Sequence, residues 1–138
     1  MAFTVEIVSA EQAIWSGSAE FIVVPGSQGE LGIYGGHIPL LTYIKPGTVE
    51  VHVGDERKLF YVSGGVVEVQ PSGVIVLSDT SERAEDLDEA HILQAKAEAE
   101  EMLRNKKETL DYAAIELRLS QDLMKLQSIE KYRSATKK

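Results

Sequence analysis

The chain has 138 residues, a formal net charge of −8 at pH 7 and no cysteine. A chain of this length buries about two thirds of its unfolded surface without covalent staples, and the lack of cysteine excludes disulfides, thiolate metal ligands and a thiol nucleophile. The acidic balance argues against nucleic acid as a partner, since phosphate binding needs a concentrated basic face.

Short strands dominate the first part of the chain. Phe3, Val5 and Ile7 alternate with polar residues, as expected for a strand with one buried face. Lys45-Pro46-Gly47-Thr48 predicts a type II turn with positive φ at Gly47, and Gly54-Asp55 and Pro71-Ser72-Gly73 predict hairpin turns. The spacing predicts an antiparallel sandwich or flattened barrel with further strands at Ala19–Val24, Leu40–Ile44, Thr48–Val53, Leu59–Val62, Val66–Val69 and Val74–Leu77.

A glycine-dense segment from Gly26 to Leu41 interrupts these strands. We expect a long loop there, and its apolar side chains indicate a docking surface. An alternative is an irregular strand pair that folds into the core, which is our expectation for Ile38, Leu40 and Leu41. We expect Glu30, Tyr34 and His37 to contact a partner.

After Asp79 the composition shifts to good helix formers, and Gly and Pro disappear. Asp86 and Glu89 resemble a capping box, which predicts a first helix beginning near Leu87. Its apolar stripe comprises Ile92, Ala95, Ala99, Met102 and Leu103.

A second helix is predicted from a cap at Thr109 or Asp111 to roughly Arg133. We expect the two helices to pair antiparallel, and their modest apolar area requires the β domain or a partner for stability. The stripe of this helix comprises Tyr112, Ile115, Leu119, Leu123, Leu126 and Ile129.

Bases are concentrated at the end of the acidic chain. Residues 118–138 carry six bases and two acids. This asymmetry predicts an acidic partner for the second helix, although a solvated helix end that complements the C-terminal dipole remains an equally open interpretation. The bases are Arg118, Lys125, Lys131, Arg133, Lys137 and Lys138.

Catalytic and metal-binding patterns are missing from the sequence. The three histidines, His37, His52 and His91, are too scattered to predict a metal cluster, and His52 is interpreted as a surface residue of a strand. There is no phosphate-binding loop, nucleophile elbow or zinc-protease motif. We therefore predict a protein that is not an enzyme and has no metal and no cofactor.

Several uncommon strings occur in one order along almost the whole chain. In order and spacing they resemble the epsilon subunit of bacterial F-type ATP synthase. The strings are Ser9–Gln12, Gly29–Tyr34, Gly36-His37, Lys45–Gly47, Tyr61–Pro71 and Leu87–Ala90.

This resemblance implies a ten-stranded antiparallel β-sandwich at residues 1–84 and a C-terminal antiparallel two-helix hairpin at residues 85–138. It implies a rotor subunit that packs against the gamma subunit, rests on the ring of c subunits and transmits torque without chemistry. The first residues lack a signal peptide and no apolar run spans a membrane, so we expect a peripheral protein on the cytoplasmic face of the bacterial inner membrane. The implied c-ring contacts are Glu30, Leu31, Ile33, Tyr34 and His37.

The resemblance also implies two dockings of the helices, one folded on the sandwich and one extended into the catalytic head, where ATP hydrolysis is blocked. In the extended docking, acidic segments of the alpha and beta subunits would contact Arg118, Lys125, Lys131 and Arg133.

An ATP-binding motif found in some family members is only partial in this chain. Leu87 and Asp88 match it, but His91 and Ile92 replace its arginine and alanine. A neutral imidazole cannot imitate a forked guanidinium toward phosphate, so we do not expect ATP to bind. A free-standing adaptor, with an unrelated partner and a coiled coil, is the alternative function, and a small enzyme is the third.

Overall fold

The structure is a computed structural model that describes residues 2–36, 38–105 and 112–136. It confirms the predicted class, a ten-stranded β-sandwich followed by two helices. The strands are β1 Phe3–Ser9, β2 Ala13–Ala19, β3 Phe21–Gly26, β4 Gly29–Tyr34, β5 Leu40–Ile44, β6 Gly47–Val53, β7 Glu56–Val62, β8 Gly65–Gln70, β9 Gly73–Ser78 and β10 Ser81–Arg83. A short 3₁₀ helix at Ala84–Asp86 leads to α1 Glu89–Asn105 and α2 Tyr112–Thr136.

One hydrogen-bonded sheet runs in the order β10-β7-β6-β3-β5-β8-β9-β1-β2, with β4 attached to β3. β1 and β9 pair in parallel, and the other described pairs are antiparallel. The end strands β2 and β10 lie against each other, so the sheet closes around one apolar core. The alternation predicted for β1 is confirmed, because Phe3, Val5 and Ile7 belong to this core.

Three strands, β2, β4 and β10, were not predicted from the sequence pattern. The predicted loop from Gly26 to Leu41 is wrong, because β4 pairs with β3 from Phe21 opposite Tyr34 to Gly26 opposite Gly29. Backbone pairing needs no side-chain alternation, and Gly29, at φ 128°, permits the tight turn between the strands. β2 and β10 also lack a strong apolar pattern, since polar residues occur throughout Ala13–Ala19 and Ser81–Arg83.

The turn predicted around Pro46 is also different. Gly47 is not among the glycines with positive φ, and it already belongs to β6. A Cβ at Gly47 would lie 2.8 Å from the Cβ of Pro25, so glycine is needed there for close approach instead of turn geometry. The predicted turns at Gly54-Asp55 and Pro71-Ser72 are confirmed as connections of paired neighbours.

The first helix begins two residues later than predicted, and its cap is a different residue. The backbone N–H of His91 donates to Oδ1 of Asp88 at 3.2 Å, whereas Asp86 lies in the preceding 3₁₀ helix. The capping box at Asp86 and Glu89 is therefore wrong. Asp88 is the better cap because its carboxylate lies directly before the first turn of α1.

The apolar stripes of the helices are partly confirmed. Ile92, Ala95 and Ala99 are buried, whereas Met102 and Leu123 are exposed. The predicted cap of α2 at Thr109 or Asp111 lies outside the described residues, as does the side chain of Tyr112.

The two helices pair antiparallel, as predicted. Arg133, near the end of α2, lies 3.0 Å from Glu89 at the start of α1, between Nη1 and Oε2. α2 also packs on β6 and β7. In the described residues, neither helix combines the length and apolarity needed to cross a membrane.

Candidate interaction surfaces

Four neighbouring strands present a row of apolar side chains on the outside of the sheet. By strand register, Tyr43 of β5 lies opposite Val66 of β8, Val66 opposite Leu77 of β9, and Leu77 opposite Val8 of β1. Tyr43 is 73% exposed, and the other three are exposed or half-buried.

The next row continues this surface and adds charge. Leu41 lies opposite Glu68, Glu68 opposite Ile75, and Ile75 opposite Glu6. We name the surface formed by the apolar members of both rows the apolar face: Val8, Leu41, Tyr43, Val66, Ile75 and Leu77. Large exposed apolar patches on protein surfaces commonly mark interaction sites, so the apolar face is a candidate docking surface.

The apolar face was not predicted from the sequence, although a signal for it was present. The segments Val66-Val67-Glu68-Val69 and Val74-Ile75-Val76-Leu77 are apolar at nearly every position. Strands that are apolar at nearly every position usually bury both of their faces. Here one face packs in the core, and the other is exposed or half-buried in the isolated chain.

The predicted c-ring contacts do not all share one surface. Glu30 is exposed, and Tyr34 is 65% exposed and stacks on Phe21, with 4.4 Å between the ring centroids. Leu31 is half-buried and packs against the core. Ile33 is 1% exposed within the core, so its predicted surface contact must be corrected. His37 lies outside the described residues.

The segment after β4 also differs from expectation. Ile38 and Leu41 were expected in the core but are 78% and 69% exposed. Leu40 is half-buried and packs against the core, as expected. Alternation along β5 explains the exposure of Leu41, because a strand that turns Leu40 inward turns Leu41 outward. Ile38 precedes β5 and lies outside this alternation.

Two of the four basic residues proposed for regulation contact groups of this same chain. Nζ of Lys125 lies 5.4 Å from the ring centroid of Tyr61 and 4.0 Å from Oε2 of Glu82. Arg133 pairs with Glu89. Arg118 is exposed and Lys131 is half-buried. The helices are therefore folded on the sandwich, and two of the four basic residues, Lys125 and Arg133, already contact groups of this chain.

The contact between α2 and the sandwich contains buried polar groups. The hydroxyls of Thr48 and Ser128 are 2.6 Å apart and buried. Oδ2 of Asp122 and the hydroxyl of Tyr61 are buried without a hydrogen-bond partner among the described residues. Burial, followed by the charges of Asp122 and Glu82, raises the pKa of the Tyr61 phenol, which therefore stays protonated and neutral.

The partial nucleotide motif has a structural role in this fold. Asp88 caps α1, Leu87 is half-buried, and His91 is exposed. A cleft of about 400 Å³ lies nearby between the sandwich and the end of α2, and Trp15, Phe60, Arg83 and Tyr132 help to line it. Among the described residues, no three His, Asp or Glu side chains are grouped to hold a metal ion.

Known proteins resemble the chain in sequence and in fold. The family model "ATP synthase, Delta/Epsilon chain, beta-sandwich domain" matches residues 2–84. The ATP synthase epsilon chain of Nitrosospira multiformis is 50% identical over 132 residues, which is 95% of each chain. The epsilon chain of Bordetella avium is 55% identical over 117 residues, covering 84% of this chain and 83% of the relative.

Two solved structures share the fold at low identity. One belongs to the OSCP/F1/c-ring assembly of Euglena gracilis mitochondrial ATP synthase, with a TM-score of 0.68, 21% identity, and coverage of 96% of this chain and 80% of that chain. The other belongs to the central stalk/c-ring of the Tetrahymena thermophila mitochondrial enzyme, with a TM-score of 0.60, 14% identity, and coverage of 92% and 96%. Together with the sequence matches over nearly the full length, the ten strands and the helical hairpin identify this chain as a member of the ATP synthase epsilon chain family.

Proposed function

We propose that this chain is a non-catalytic rotor subunit in the central stalk of a proton-translocating F-type ATP synthase. It couples rotation of the c-ring to the catalytic head, and its C-terminal helices inhibit ATP hydrolysis. Membership of the epsilon chain family supports this role. The chain would then be peripheral, held on the cytoplasmic face of the bacterial inner membrane by its complex.

The observation that carries the proposal is the apolar face. A rotor subunit must be attached to the shaft by an interface that does not slip under load, and buried apolar area provides most of the free energy of such an interface. We assign the apolar face to the gamma subunit. Glu6 and Glu68 beside it fix register through pairs with basic side chains, since rim charges contribute specificity more than affinity.

We assign the exposed side of β4 to the c-ring. Glu30, beside the turn of the β3–β4 hairpin, and Tyr34, at the other end of β4, are both exposed on this side, and Leu31 between them packs against the edge of the core. An exposed ion pair made by Glu30 would contribute at most about 1 kcal/mol. The c-ring contact therefore positions the sandwich, while the apolar face holds it.

The inhibitory role follows from an exchange of partners by the basic residues. In the folded docking, Lys125 contacts Tyr61 and Glu82, and Arg133 contacts Glu89. These contacts must break before either cation can reach acidic segments of the alpha and beta subunits. A differential affinity of about 5.5 kcal/mol would convert a 99:1 preference for one docking into the reverse.

Two experiments test the proposal. Affinity purification of the chain from membranes in mild detergent should recover the gamma subunit together with the c subunit, and recovery of unrelated proteins or of self-associated chain alone would favour the adaptor. Reconstituted complex in which this chain ends before Leu87 should hydrolyse ATP faster than complex with the intact chain. An unchanged rate would remove the inhibitory role while leaving the rotor role intact.

A further inference from the structure

We propose that a polar latch sets how firmly α2 docks on the sandwich, and that two of its members act in opposite directions. The latch consists of Thr48, Tyr61, Asp122, Lys125 and Ser128. The Ser128 hydroxyl supports docking, and the Asp122 carboxylate opposes it. The inference deepens the proposed inhibitory role and depends on it only for its consequence in the complex.

The described side chains of α2 lie outside the hydrophobic core cluster of the sandwich. Among the described residues, the hydrophobic core cluster contains strand residues and no helical side chain. The buried side chains of α2 in the described segment are Asp122, Ser128 and Ile129, of which two are polar. Polar contacts therefore have an unusual share in deciding whether the helix stays docked.

The hydroxyl pair supports docking through a chain of hydrogen bonds. Ser128 has one hydroxyl proton and donates it to the carbonyl oxygen of Met124 at 3.0 Å. Its oxygen, 2.6 Å from Oγ1 of Thr48, then accepts the Thr48 proton. Without the Ser128 oxygen, the buried Thr48 hydroxyl would lose this partner, and an unmade buried hydrogen bond is unfavourable.

The carboxylate opposes docking because its burial is incompletely compensated. Asp122 is 5% exposed, and its Oδ2 has no hydrogen-bond partner among the described residues. The hydroxyl of Tyr61, whose pKa is raised by burial and by the charge of Asp122, also has no hydrogen-bond partner among the described residues. Lys125, one helical turn from Asp122, contacts the Tyr61 ring and Glu82. Undocking would return both unpartnered groups to water, which favours release.

The intact isolated chain provides the assay. Its one tryptophan, Trp15, lines the cleft that Tyr132 and Ala135 of α2 also line, so tryptophan fluorescence reports whether α2 is docked. Amide hydrogen exchange of α2 measures the same equilibrium quantitatively. Neither measurement requires the other subunits of a synthase.

The first variant removes the buried charge without changing the shape of the side chain. Asp122→Asn should raise the protection of α2 amides about tenfold. Glu116→Gln is the matched control, because Glu116 is an exposed carboxylate of the same helix. Equal effects of the two variants, or weaker protection in Asp122→Asn, would overturn the assignment of Asp122.

The second variant removes the hydroxyl. Ser128→Ala should lower α2 protection about fivefold and shift Trp15 fluorescence toward that of a chain lacking α2. Ser120→Ala, at an exposed position of α2, controls for the change in helix propensity. An equal response in both serine variants would overturn the hydroxyl part of the latch.

The consequence in the complex is tested separately. Reconstituted complex carrying Asp122→Asn should hydrolyse ATP faster than wild type, because its helices remain folded. If exchange responds as described but hydrolysis does not, the latch stands and the inhibitory role fails. If exchange does not respond, the latch fails whatever the hydrolysis rate.

Discussion

Replacement of Tyr43 by alanine tests the apolar face most directly. An aromatic side chain presents roughly 200 Å², and Tyr43 is 73% exposed, so a partner can cover about 150 Å² of it. At about 25 cal/mol per Å², full burial contributes at most about 4 kcal/mol. Ordering the side chain offsets part of this, so we expect Tyr43→Ala to weaken association by about 2 kcal/mol, or roughly thirtyfold in Kd.

The assay is titration of the isolated chain against a purified complex of alpha, beta and gamma subunits that lacks it. Tyr34→Ala is the matched control, because Tyr34 is 65% exposed but lies on β4, outside the apolar face. Tyr34 is assigned to the c-ring, which this soluble complex does not contain. The affinity of the Tyr34→Ala chain for the complex should therefore change less than threefold. The reasoning is refuted if Tyr43→Ala also binds within threefold of wild type, or if both tyrosine variants lose affinity equally.

Two further predictions concern the sandwich and its contact with α2. Gly65→Ala should destabilise the chain by about 4 kcal/mol in urea denaturation, because Gly65 has φ 150° and a Cβ would collide with the carbonyl oxygen of Leu77. Gly54 has φ 60° and open space around it, so Gly54→Ala should lower the free energy of unfolding by only about 1 kcal/mol. Equal destabilisation by the two substitutions would contradict a steric clash at Gly65. Folding raises the pKa of the Tyr61 phenol above 10.0, so the free energy of unfolding should fall above pH 10. The expected slope is up to about 1.4 kcal/mol per pH unit. If the same slope persists in Tyr61→Phe, another titrating group causes it.

The strands that sequence reasoning found are those whose side chains report burial. In β1, every second residue from Phe3 to Ile7 lies in the core, and the alternation is visible in the sequence. β4 is held by its backbone pairing with β3 and buries only Ile33 completely. A strand of this kind leaves little trace in the sequence, since its position depends on register with a neighbour.

The helix start shows a different limit. Asp86 and Asp88 both precede a helical segment, and both offer a carboxylate for capping. The choice depends on where the 3₁₀ helix at Ala84–Asp86 ends, which is set by its packing on β7 and α2. The local sequence shows which residues could cap the helix, and tertiary contacts determine which of the neighbouring candidates does so.

The candidate surfaces were only partly predictable for the same reason. Exposure at Glu30 and Tyr34 could be expected from a glycine-dense segment, but the apolar face exists only once β5, β8, β9 and β1 are aligned side by side. Its members come from residues that are far apart in sequence, such as Val8 and Leu77. Register between distant strands is not written in any local pattern.

The ion pairs of the folded hairpin are too weak to decide by themselves between the folded docking and the proposed extended one. Lys125 and Arg133 pair with acids whose side chains are 44% and 39% exposed, and pairs of this kind contribute about 0.2–1 kcal/mol each. Their exchange for acids of a partner would therefore be almost neutral. The docking equilibrium must then depend on groups that are buried when α2 is docked and solvated when it is released. In the described part of α2, Asp122 and Ser128 are the buried polar side chains that meet this condition, so changes at these two positions should shift the docking equilibrium further than loss of either ion pair.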